Sequence, residues 1–115
     1  MPLVVVNKNP EKIDCGLLER LVDRLPGLVA SALTCEHPDG GLEAQDVEVW
    51  VQDFGPNDIN TTDVEIIIWA NLYPERQANL DDRREKICKG VRLILPKMIK
   101  GFVWVILNPG SFGEF

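Results

Sequence analysis

The spacing of apolar residues along this chain switches between two and about 3.6, and the order of the switches allows few folds. Leu3 to Val6 is a short β-branched run. Leu17, Leu18, Leu21, Val22, Leu25, Leu28, Val29, Ala32 and Leu33 then fall on one helical face. The segments VEVWVQDF (47–54) and VEIIIWANLY (64–73) alternate with period two. Leu80, Ile87, Cys88, Val91, Ile94 and Leu95 return to helical spacing, and FVWVIL (102–107) closes the series as a strand. The order is β-α-β-β-α-β, two similar βαβ halves. In 115 residues it predicts a single domain, 1–115, of the α/β (α+β) class, built as a two-layer sandwich. Right-handed crossovers in both halves put both helices on one face of a single sheet.

Local signals set the boundaries. The segment NKNPEK reads as a loop, and Asp14 suits the N-cap of the first helix. Pro26 and Gly27 are expected to kink that helix or restart it with the same face inward. CEHPDGGLEAQD and GPNDINTTD are turn-rich connections. Asn79 is expected to cap the second helix, Asp81 and Asp82 suit its positive end, and Pro96 stops it. The tail NPGSFGEF carries Pro and Gly that forbid a long helix.

The parity of the strands divides the sheet into unlike faces. Val47, Val49, Val51, Val64, Ile66, Ile68, Ala70, Val103, Val105 and Leu107 share one parity and are expected under the helices. The other parity gathers Trp50, Trp69 and Trp104 with Ile67, Phe102 and Ile106 on a side that no helix covers. An apolar patch of that size marks association, so a homo-oligomer burying these faces is expected. The alternative is a cover of loops.

Composition narrows the function classes. A net charge of −6 gives no clustered Lys and Arg for nucleic acid, and no apolar run is long enough for a membrane. With no leader-like start, the reading is cytoplasmic. Three spaced cysteines, Cys15, Cys35 and Cys88, do not read as a disulfide framework. Cys88 falls on the apolar helix face as a packing residue. Cys35 and His37 are only two ligand types in a turn, too few for a metal site.

The first residues carry the chemistry. Pro2 heads the first strand, where proline is tolerated, and is small enough for Met1 to be removed in front of it. Its amine would then be a free secondary amine at the edge of an apolar sheet. Burial disfavours the charged form and brings such an amine toward neutrality, where it serves as base and then acid.

The opening PLVVVNKNP, the two βαβ halves and the uncovered sheet face together resemble the tautomerase superfamily, the relatives of macrophage migration inhibitory factor and 4-oxalocrotonate tautomerase. The β-α-β-β-α-β order alone is shared with ferredoxin-like domains. The resemblance implies a cofactor-free and metal-free tautomerase or isomerase. It would move a proton between carbon and oxygen of a small enol or keto acid, in a trimer, with Pro2 as the base. NLYPERQANL resembles the stretch that carries two arginines in the dehalogenase and decarboxylase branches. Arg76 matches one, the anion clamp, and Tyr73 stands in place of the other, which argues against dehalogenation. The lysine that the inhibitory-factor branch carries after its first helix has no counterpart in TCEHPDGG. Asn71, Tyr73, Phe112 and Phe115 are the expected pocket residues. Three alternatives stay open: Arg76 as an exposed residue paired with Glu75 or Asp82, with Arg83 or Arg84 also on a solvated face; a non-catalytic module of the same fold; and a ferredoxin-like binding domain.

Overall fold

The computed structural model describes residues 2–115, and the fate of Met1, on which a free Pro2 amine depends, lies outside them. Four strands form one sheet in the order β2-β1-β3-β4, with β1 at Leu3–Lys8, β2 at Glu48–Asp53, β3 at Val64–Asn71 and β4 at Gly101–Asn108. The outer pairs β1–β2 and β3–β4 are parallel and the central pair β1–β3 is antiparallel. Each parallel pair is bridged by a helix, α1 at Cys15–Leu33 and α3 at Leu80–Ile94, as parallel neighbours require. A five-residue helix, α2, at Pro74–Ala78 precedes α3, and a 3-10 turn at Ala44–Asp46 leads into β2.

Asp14 caps α1 as expected, its carboxylate accepting from the Leu17 N–H at 2.8 Å. Pro26 does not divide this helix: one continuous element runs past it to Leu33. The first strand extends two residues beyond Val6, so Asn7 and Lys8 are paired strand residues and not loop. Lys8 is buried on the helix side, and an ion pair with Asp53 at 2.6 Å compensates its desolvation. Asn79 stands at the N-cap of α3 but its side chain caps no backbone N–H. The incoming α2 holds it in another conformation, and its Oδ1 accepts from Arg83 Nε at 2.6 Å.

Val4, Val6, Ile66, Ile68, Ala70 and Val105 are buried in one core with Leu17, Leu21, Leu25 and Val29 of α1 and Ile87 and Val91 of α3. Both helices therefore lie on one face. Val51 shares the parity of this face yet is 39% exposed, because β2 is an edge strand whose far end outruns the helical cover.

The register ranks the opposite face in three rows across the sheet: Glu48–Leu3–Trp69–Ile106, Trp50–Val5–Ile67–Trp104 and Gln52–Asn7–Glu65–Phe102. Trp50, Trp69 and Trp104 are 50%, 42% and 60% exposed. Among the described residues no loop shields them from solvent. Among the described residues no helix is long and apolar enough to cross a membrane.

Candidate functional site

Two connections and the tail meet at the end of the sheet where β1 begins and β3 and β4 finish. Between them opens a cleft of about 550 Å³, lined by Asn71, Tyr73 and Phe112 together with Asp39, Asp46 and Glu114. The Asn108 side chain borders it at the end of β4. Three of the four residues expected to line a pocket are thus brought together. Phe115 is not among them: it projects fully into solvent, and Glu114 takes the place beside Phe112. A tail of Pro and Gly has no periodicity from which to tell which of its side chains turns inward.

Pro2 lies at the same end of the sheet but is not among the residues that line the cleft. Its carbonyl accepts from the Glu48 N–H at 3.1 Å, and one step beyond the Leu3–Trp69 pair it lies level with Ala70, next to Asn71. In the parallel direction it is level with Val47, next to Asp46. Its side chain is fully buried on the helix side.

Arg76 is neither an exposed charge nor an open one. It is 2% exposed, and its guanidinium donates to three main-chain carbonyls: Nε to Leu33 at 2.7 Å, Nη1 to Asn71 at 3.1 Å and Nη2 to Gly40 at 3.1 Å. It thereby ties the end of α1, the end of β3 and the 34–43 loop to one another. Among the described residues no carboxylate pairs with it; Glu75 bonds instead to the Glu36 N–H and to Arg83 at 3.6 Å. Burial pushes the Arg76 guanidinium below the usual arginine value, against the smaller opposing influence of Cys35 and Tyr73. The Tyr73 ring lies 4.9 Å from its central carbon, and His37 stacks on Tyr73 with ring centres 4.1 Å apart.

α1 has no basic residue in its own last turn, so its orphan carbonyls are met from elsewhere. Arg76 takes Leu33, Arg83 takes Ala32 and Thr34 at 3.1 and 2.8 Å, and Lys86 takes Ser31 at 3.3 Å. Three cations gather at the negative end of the helix, where its dipole favours them. Arg84 is the solvated one of the helix pair, beside Asp81 and Glu85.

The expectation from sequence missed Asp39, Asp46, Asn108 and Glu114. They lie in or beside turn-rich segments, where a polar residue is the default and carries no positional signal. A second, smaller cavity of about 160 Å³ opens between α3 and β4. Cys88 lines it as a half-buried packing residue whose thiol is pushed up by burial and by nearby Glu85. His37 accepts the Asp39 N–H on Nδ1 at 3.1 Å and closes the turn that forms one wall of the larger cleft.

No family model and no curated protein sequence matches this chain. Solved structures do. A malonate semialdehyde decarboxylase superposes with a TM-score of 0.66 at 15% identity, covering 97% of this chain and 91% of its own. N1, a member of the cis-3-chloroacrylic acid dehalogenase family, gives 0.63 at 18% identity over 98% and 80% of the two chains. A fused wild-type 4-OT, an asymmetric trimer, gives 0.57 at 17% identity over 97% and 91%. The chain has the fold that these tautomerase-superfamily proteins share.

Proposed function

We propose that this chain of tautomerase-superfamily fold is a cofactor-free tautomerase or isomerase, in which the Pro2 amine moves a proton between carbon and oxygen of a small enol or keto compound. The observation that carries the reading is the place of Pro2: fully buried, at the sheet end, between the neighbours of two cleft residues, Asp46 and Asn71. A secondary amine in apolar surroundings stays neutral more readily than in water and so accepts a proton from a bound substrate. The cleft is large enough for a small molecule and has an aromatic wall in Tyr73 and Phe112. Arg76 acts in this reading as a positioning residue that fixes the walls of the cleft through three carbonyls, with its charge lying behind Tyr73.

Assembly is part of the proposal. The uncovered tryptophan face gives a single chain a reason to associate, and a trimer is the form implied by the sequence resemblance. A cytoplasmic location belongs to the same reading and is supported by the free thiols of Cys15, Cys35 and Cys88.

The test begins with the intact mass of the protein from its own host, since an acylated proline has no lone pair to offer. Loss of the Met1 mass is the expected result; full retention turns the reading toward a non-catalytic module. Pro2→Ala is then expected to slow ketonisation of a phenylpyruvate-type enol by about tenfold or more, with an unchanged circular dichroism spectrum. A primary amine survives in the variant, so residual turnover is expected. Full turnover by Pro2→Ala would place the activity elsewhere.

A further inference from the structure

The chain has one histidine and one tyrosine, and the fold stacks them on each other. His37, Pro38, Asp39 and Gly40 form a tight turn in which the Gly40 N–H donates to the His37 carbonyl at 2.8 Å, with proline where its fixed φ suits a turn. A Cβ on Gly40 would lie 2.2 Å from Cys35 Sγ, so the turn has no slack on its inner side. The imidazole closes the turn a second time. Its Nδ1 accepts from the Asp39 N–H at 3.1 Å, which assigns the proton of the neutral ring to Nε2. The same ring lies on Tyr73 with centres 4.1 Å apart and planes 16° from parallel, and the Tyr73 hydroxyl donates to the Asp39 carbonyl at a long 3.4 Å. Asp39 is thus held from both sides by a stacked pair. Asp39 and Tyr73 line the larger cleft and His37 does not, so the imidazole braces a wall that it does not itself form.

We infer that His37 is a positioning residue for this wall: as a neutral ring it holds the 37–40 turn and Tyr73 together, and taking up a proton releases them. An imidazolium carries N–H groups on both nitrogens, so Nδ1 would face the Asp39 N–H donor to donor and the bond is lost. The new charge also lies against a ring that the Arg76 guanidinium already approaches to 4.9 Å. The other charged groups around the imidazole are Glu36 and Asp39 on its own loop and Glu75 on α2. Glu75 is held by the Glu36 N–H and by Arg83, and Glu36 and Asp39 are exposed, so their attraction for the cation is screened. Histidine is the side chain whose charge changes between about pH 5 and 8, so the wall is firm at the upper end of that range and loose at the lower. These contacts lie within one chain. Only their effect on turnover rests on the proton-transfer reading for Pro2.

Because each residue type occurs once, NMR of the assembled protein labelled at His and Tyr reads this pair alone. From about pH 8 to about pH 5 the ring-to-ring contact is expected to be lost, with the Tyr73 ring shifts and the Asp39 amide shift following the His37 titration. His37→Asn keeps an acceptor near the place of Nδ1 but does not stack, and His37→Phe stacks but accepts nothing. Neither takes up a proton, so both are expected to flatten the Tyr73 titration. In turnover of a phenylpyruvate-type enol, the parent KM divided by that of His37→Phe is expected to rise about threefold toward the acid end, the worth of one net hydrogen bond, with the ratio of kcat values unchanged. A Tyr73 titration that survives in both variants, rings that stay in contact once His37 is protonated, a His37 that takes up no proton over this range, or a KM ratio that does not move would overturn the inference. Undiminished turnover by Pro2→Ala would remove the proton-transfer reading alone, since the NMR titration does not involve Pro2.

Discussion

Replacing Arg76 with Met is expected to lower the stability of the fold by about 3 to 5 kcal/mol, a large part of what a domain of this size has. The loss follows from three carbonyls, of Leu33, Asn71 and Gly40, that the guanidinium satisfies in a buried setting and that no Met side chain can. Arg76→Lys retains the charge but not the fork, and one ammonium cannot span carbonyls on three separate segments, so it is expected to recover less than half of the loss. Urea unfolding followed by tryptophan fluorescence measures both; if the Met variant does not fold at all, the Lys variant still gives a value. A Lys variant as stable as the parent, with a raised KM only for carboxylate substrates, would return Arg76 to the role of an anion clamp.

If the tryptophan face joins copies as proposed, Trp69→Glu is expected to leave a monomer without unfolding the chain. Trp69 lies in the row Glu48–Leu3–Trp69–Ile106 and is 42% exposed on the face away from both helices, so the change leaves the helix-side core intact. In an assembly that buries this face, each copy would seal in an unpaired charge at a cost of about 3 to 5 kcal/mol. Sedimentation velocity at micromolar concentration is the measurement, with circular dichroism as the control for folding. A parent that already sediments as a monomer, or a variant that stays assembled, would show that the tryptophan face is not what joins the copies.

The parts of the fold that repeat were the parts that could be read in advance. Period two in VEIIIWAN and helical spacing from Leu17 to Leu33 each report one face of one element, and together they gave the order of elements and the two unlike sides of the sheet. The position of Pro2 at a sheet end also followed, because a proline before a β-branched run has few other places to stand. What stayed hidden was set by single long-range contacts. Nothing local in PERQAN says that Arg76 will reach the carbonyl of Leu33, 43 residues back, or that Arg83 will leave the solvent to reach Thr34. The lining of the cleft was half legible for the same reason. Asn71 and Tyr73 sit at and just past a strand end whose limits are patterned, while Asp39 and Glu114 come from a loop and a tail that have no pattern.

The gathering of Arg76, Arg83 and Lys86 around the last turn of α1 also bears on how the chain reaches its native state. Every one of these cations comes from the second βαβ half, and every carbonyl they meet there belongs to the first half or to the residue that follows its helix. An N-terminal half released alone by a ribosome would hold an α1 whose final turn frays, with its carbonyls left to water. The two halves look like independent units by topology, but the helix of one is terminated by the side chains of the other. The end of α1 is therefore fully satisfied only when both halves are folded together, so a change that loosens the second half is expected to loosen the last turn of the first as well.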